Sequence, residues 1–86
     1  MIKRIRGFRP LSNYKLDVIF DDGRNVIYDM ADDIETLPGY SDLKTIHGLF
    51  QQARLDESRT CIYWNDWIDI PSDQIAEYGE EIHFYR

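Results

Sequence analysis

A small α+β domain is the fold predicted by these 86 residues, and three observations carry the prediction. Two β-rich runs alternate on either side of Asp21-Asp22-Gly23. A stripe of apolar residues at helical spacing follows them. A second set of short strands then stops at Pro71 and gives way to a segment with helix start and stop signals. The expected architecture is a small, mostly antiparallel sheet built from two hairpins plus a first strand. One short helix lies across it, a short C-terminal helix follows, and residues 1–86 make a single domain.

Met1 to Leu11 is expected to form the first strand, where Gly7 marks a bulge or close backbone approach and Pro10 ends the pairing or lies on an edge. Ser12-Asn13 turns into the hairpin of Tyr14 to Met30. Its register follows from one requirement. A two-residue loop sends Tyr28 to the face opposite Leu16. A three-residue loop pairs Phe20 with Arg24, Val18 with Val26 and Leu16 with Tyr28, which gathers the large apolar groups on one face. That loop is a type I turn closed by a left-handed Gly23. The opposite face, with Lys15, Asp17, Ile19, Asn25, Ile27 and Asp29, is expected to be half-wet, as in a one-sided antiparallel sheet.

Asp29 to Glu35 is acidic and reads as a solvated turn, and Leu37-Pro38-Gly39 as a loop. Leu43, Ile46, Leu49, Phe50 and Ala53 share one helical face, with Ser41 or Thr45 as cap and Gly48 as an internal cost. Ala53 to Leu55 and Thr60 to Trp64 form a second hairpin around Asp56-Glu57-Ser58-Arg59. Trp64 to Trp67 is a tight turn, Ile68 to Ile70 a strand, and Ser72 the N-cap of a helix through Tyr78 that stops at Gly79. Ile82, Phe84 and Tyr85 form a last extended segment.

The chain is acidic, with a formal net charge of −6, which argues against broad electrostatic binding of nucleic acid. Lys3, Arg4, Arg6 and Arg9 are the exception, a basic N-terminal arm that could touch phosphate or an acidic partner. The plainer reading is a set of solvated charges on an edge strand. The single cysteine, Cys61, forms no internal disulfide and suits a reducing compartment. No apolar run approaches a membrane span and the N-terminus lacks a secretory core, so the cytoplasm is the expected location.

No enzyme constellation emerges. A nucleophile needs an activating base within reach, and Cys61, His47 and His83 have no such spacing. The acidic patch of Asp29, Asp32, Asp33 and Glu35 lacks the glycine and final glutamate of a calcium loop. Arg6-Gly7-Phe8 begins like an RNA-recognition signature, but Arg9-Pro10-Leu11-Ser12 lacks its aromatic platform. No catalytic residue, metal or cofactor is expected. The strongest functional candidate is Tyr63 to Asp69, where Trp64, Asp66, Trp67 and Asp69 place indoles beside carboxylates, the composition of a binding hot spot. Alternation sends Trp64 and Ile62 to one face and Tyr63 to the other, and the turn lets Trp67 project separately.

The order of motifs resembles the small bacterial family catalogued as domain of unknown function 2442. The matching residues are Arg9-Pro10-Leu11, Tyr14-Lys15-Leu16, Phe20-Asp21-Asp22-Gly23 and Asp29-Met30. Leu43, Phe50 and Arg54-Leu55-Asp56 follow, then Ile62-Tyr63-Trp64-Asn65, Asp69-Ile70 and Pro71-Ser72-Asp73. The resemblance covers roughly residues 5 to 76 and departs from the family where Asp66 and Trp67 replace proline and glycine after the tryptophan. It implies a small α+β domain with no established activity that pairs with another small protein in a toxin–antitoxin-like or regulatory arrangement. The expected partner is a small basic protein, with self-association left open and nucleic acid the alternative.

Overall fold

A computed structural model describes residues 3–82. Strands β1 (Ile5–Leu11), β2 (Lys15–Phe20), β3 (Asn25–Asp29) and β7 (Glu80–Ile82) form an antiparallel sheet in the order β1-β2-β3-β7. Strands β4 (Arg54–Leu55), β5 (Cys61–Tyr63) and β6 (Asp69–Pro71) form a second sheet in the order β4-β5-β6. Short helices α1 (Ala31–Thr36), α2 (Asp42–Thr45) and α3 (Ser72–Tyr78) complete the α+β fold. The two hairpins therefore stand in separate sheets. The free edge of β3 is taken by β7, through Asn25 opposite Ile82 and Ile27 opposite Glu80. The outer strand β1 carries a register shift between Ile5 and Gly7, and Pro10 stays in its ladder opposite Leu16, on the edge of the sheet. The edges of this sheet are β1 and the three-residue β7, and neither pairs with a strand of the second hairpin.

The first hairpin has the three-residue register. Leu16 faces Tyr28 and Val18 faces Val26. The Phe20 amide donates to the Arg24 carbonyl at 2.9 Å, and Gly23 takes a φ of +92°. Leu16, Val18, Phe20, Val26, Tyr28 and Met30 are all buried, while Ile19 on the other face is 40% exposed. They share one core with Ile62 and Ile70 of the second sheet, Trp64 and Ile68 of the turn between β5 and β6, and Ile75 of α3. Gly79 ends α3 at a φ of −77°, where its use is space rather than a left-handed turn. A Cβ there would collide with the Val26 side chain and lie 2.6 Å from the Ile75 carbonyl oxygen.

Three local expectations are corrected. Asp29 to Glu35 is not wholly a turn, because α1 begins at Ala31. The Asp29 carboxylate accepts the Ala31 amide at 2.9 Å, and Ile34 is buried one turn after Met30. The stripe from Leu43 to Ala53 is not one helix. α2 ends at Ile46, which turns extended (φ −90°, ψ 116°), and Gly48 follows at a φ of +77° in a turn closed by the Leu49 amide on the Ile46 carbonyl at 3.1 Å, which leaves only a short 3-10 turn at Phe50–Gln52. Ser72 is not the N-cap. Pro71 holds that position, and the Ser72 amide donates to the Thr60 carbonyl at 2.8 Å. Met1, Ile2, His83, Phe84 and Tyr85 lie outside the described residues.

Candidate functional site

The turn between β5 and β6 is built by one amide side chain. Asn65 Oδ1 accepts the Trp67 amide at 2.8 Å and the Ile68 amide at 3.0 Å. The Trp64 amide closes the loop onto the Ile68 carbonyl at 3.0 Å. Asparagine mimics a backbone turn in this way because its carbonyl reaches amides two and three residues ahead. The two tryptophans thereby part company. Trp64 is 8% exposed. Its Nε1 donates to the Phe50 carbonyl at 2.9 Å, and its ring stacks on Phe50 at 5.7 Å. It belongs to the core and not to a binding surface, which corrects its inclusion with the others. Trp67 is 83% exposed, and Asp66 and Asp69 are exposed beside it in sequence.

The outer edge of β6 is closed. The Tyr40 hydroxyl donates to the Asp69 carbonyl at 2.7 Å and accepts the Asp69 amide at 3.3 Å. Ile70 is opposite Ile62 in the ladder, and Pro71 has no amide to offer. A partner at this end of the molecule therefore meets side chains rather than a free strand edge.

A concavity with a volume of about 440 Å³ lies where α1 and α3 meet β3. Asp29, Asp32, Asp33 and Glu80 line it, with Lys15 and Tyr78. The Tyr28 hydroxyl donates to Asp33 Oδ2 at 2.6 Å and accepts from Gln74 Nε2 at 2.9 Å. Burial pushes the Tyr28 phenol well above its usual range, and the Asp33 carboxylate pushes it further. The group stays protonated at neutral pH and serves as a structural donor rather than a base. Among the described residues no cluster of three or more His, Cys, Asp or Glu is arranged to hold a metal ion. Burial likewise raises the Cys61 thiol, with Asp69 and Asp56 adding to the effect, so the reactive thiolate is disfavoured.

The basic arm lies against the acidic hairpin. Arg6 Nη2 donates to the Asp21 carbonyl at 2.8 Å, and Arg9 pairs with Asp17 at 3.2 Å. Lys3 borders a small hollow with Arg24, Asp73 and Glu77, and Arg4 is exposed. Arg59 was not singled out by its sequence context, yet it joins the two sheets. Its guanidinium donates to both Asp21 oxygens at 2.7 and 2.9 Å, and its carbonyl accepts the Ile5 amide at 2.7 Å. The hydrogen bond from Arg59 holds the Asp21 carboxyl below its ordinary range, with further help from the charges of Arg59, Arg6 and Arg4. No helix among the described residues is long and apolar enough to cross a membrane.

Compared with known proteins, residues 5–81 match the family described as "Protein of unknown function (DUF2442)". No curated protein and no solved structure matches the chain.

Proposed function

The chain belongs to the DUF2442 family, and from that premise we propose that it is a protein-interaction module whose contact point is the Trp67 turn. The observation that carries the reading is the 83% exposure of Trp67 on a turn fixed by Asn65. An indole is a large apolar body with a polar handle, and tryptophan is among the residues most enriched at binding hot spots. A turn already held in one geometry loses little freedom when it is covered. Asp66 and Asp69 flank it, and the net charge of −6 favours encounter with a positive surface.

The partner is a small basic protein, and this chain is the antitoxin-like member of a toxin–antitoxin-like or regulatory pair in the cytoplasm. It works by contact and not by catalysis. The closed edge of β6 favours recognition through Trp67, Asp66 and Asp69 over strand addition. Nucleic-acid contact through Lys3, Arg4, Arg6 and Arg9 is the weaker reading, because Arg6 and Arg9 already serve the hairpin.

Tagged protein recovered from its native cell after nuclease treatment tests the proposal. Wild type retains a stoichiometric small basic protein. Trp67→Ala does not, although its melting temperature is unchanged. Nucleic acid alone, lost with nuclease or salt, would overturn the reading, as would retention of the partner by Trp67→Ala.

A further inference from the structure

We propose that the groove between the Leu11–Tyr14 turn and the Gly48 turn is a binding site for a small organic carboxylate with an apolar body. The groove has a volume of about 440 Å³, inside the usual range for ligand pockets of roughly 300–1,000 Å³. The Trp67 turn forms no part of its walls, so the inference stands apart from the interaction proposed above.

The lining is apolar at its base. Leu43 and Phe50 are buried there, and Tyr14 meets Phe50 edge to face at 5.4 Å. Ile46 also lines the groove and is 50% exposed, which leaves an aliphatic surface open to a ligand's body. The walls are conformationally costly. Asn13 and Tyr14 are successive non-glycine residues at φ of 62° and 60°, and Gly48 faces them at 77°. Residues held in the left-handed region persist only where their surroundings fix them. Here the Met30 amide donates to the Tyr14 carbonyl at 2.9 Å. This turn sets Tyr14 against Phe50 and leaves the Asn13 amide exposed at the groove.

Charge selects the ligand. The chain carries 16 Asp and Glu residues, yet none lines this groove. Lys44 and His47 do. Neither side chain makes a hydrogen bond or ion pair among the described residues. A carboxylate placed beside Lys44 gains an opposite charge, and Asn13 and Gln51 offer amide donors. An amine of the same shape finds no counter-charge. An apolar body is needed to cover Ile46 and Tyr14.

The test is titration of the isotope-labelled full chain with 4-phenylbutyrate, followed by amide chemical shifts, with 4-phenylbutylamine as the charge-reversed control. The carboxylate should give saturable shifts centred on Asn13, Lys44, His47 and Gln51, with a dissociation constant of about 1 mM or tighter. The amine should give none. Lys44→Glu should weaken binding at least about tenfold without moving the melting temperature, since Lys44 is exposed. Lys44→Arg should retain it. Equal binding of the amine, shifts that fail to saturate or centre elsewhere, or undiminished binding by Lys44→Glu would each overturn the proposal.

Discussion

The two sheets reach order by different means. The first uses long strands: β1 and β2 run seven and six residues, and their ladders carry the structure. The second has strands of two and three residues, too short to persist on backbone pairing alone. It is held by side chains reaching into the backbone. The Asp56 carboxylate accepts the Thr60 and Cys61 amides at 3.0 and 3.2 Å. Asn65 does the same for Trp67 and Ile68, Tyr40 grips Asp69, and Trp64 anchors to Phe50. A region fixed by polar side chains can end in an exposed indole without needing that indole for stability. The candidate contact residue sits there, while the long ladder supplies the rigid base.

The largest blow to this contrast is Trp64→Ala. It removes a buried ring, its stacking on Phe50 and its bond to the Phe50 carbonyl. The expected loss is about 4 kcal/mol, read by denaturant unfolding, whereas Trp67→Ala should stay within about 0.5 kcal/mol. Similar costs for both would erase the distinction between core and contact tryptophan.

Asn65→Ala is a finer probe. It strands two amides of the turn and should cost about 1–2 kcal/mol. Amide exchange should quicken around Trp67 and Ile68, while β2 and β3 keep their protection. A uniform change across both sheets would show that the second sheet has no stability of its own to lose.

The smallest effect concerns the joint between them. The Asp21 carboxyl is held below its ordinary value of 3.8 by the hydrogen bond from Arg59. A depressed carboxylate contributes stability that is fully present above the unfolded value and lost as pH falls through the folded one. Acid below pH 3.8 should therefore loosen the contact between the sheets. Both groups are exposed, so the effect is modest and weakens with salt. Arg59→Gln should remove that part of the acid dependence, as followed by melting temperature against pH.

Legibility in the sequence followed the same division. The first hairpin could be read to its register, because alternation and Asp22-Gly23 are local signals and one face had to collect the large residues. The bulge at Gly7 and the turn of Trp64 to Trp67 were legible for similar reasons, but alternation placed Trp64 on one face with Ile62 without telling core from contact surface. Periodicity misled at Leu43 to Ala53, since it does not register that Ile46 turns extended after α2 and that Gly48 then turns left-handed. At Asp29 to Glu35 the charges hid the pairing of Met30 with Ile34, the one apolar clue to α1. The roles of Tyr40 and Arg59 depend on residues 29 and 38 positions away, and no local pattern announces them. The division into two sheets was hidden for the same reason, because it depends on β7 returning to β3.

That return has a consequence in time. Synthesis runs from the N-terminus, so β1, β2 and β3 can pair while the rest of the chain is still being made. Until residues 80–82 emerge, β3 presents the bare donors and acceptors of an open flank to every neighbouring nascent chain. Its inner side chains also lack α3, whose Ile75 completes the core. The hairpin is thus an early scaffold with a late closure. The acidic residues Glu80 and Glu81, set against Ile27 and Val26, form the last seam to be sewn.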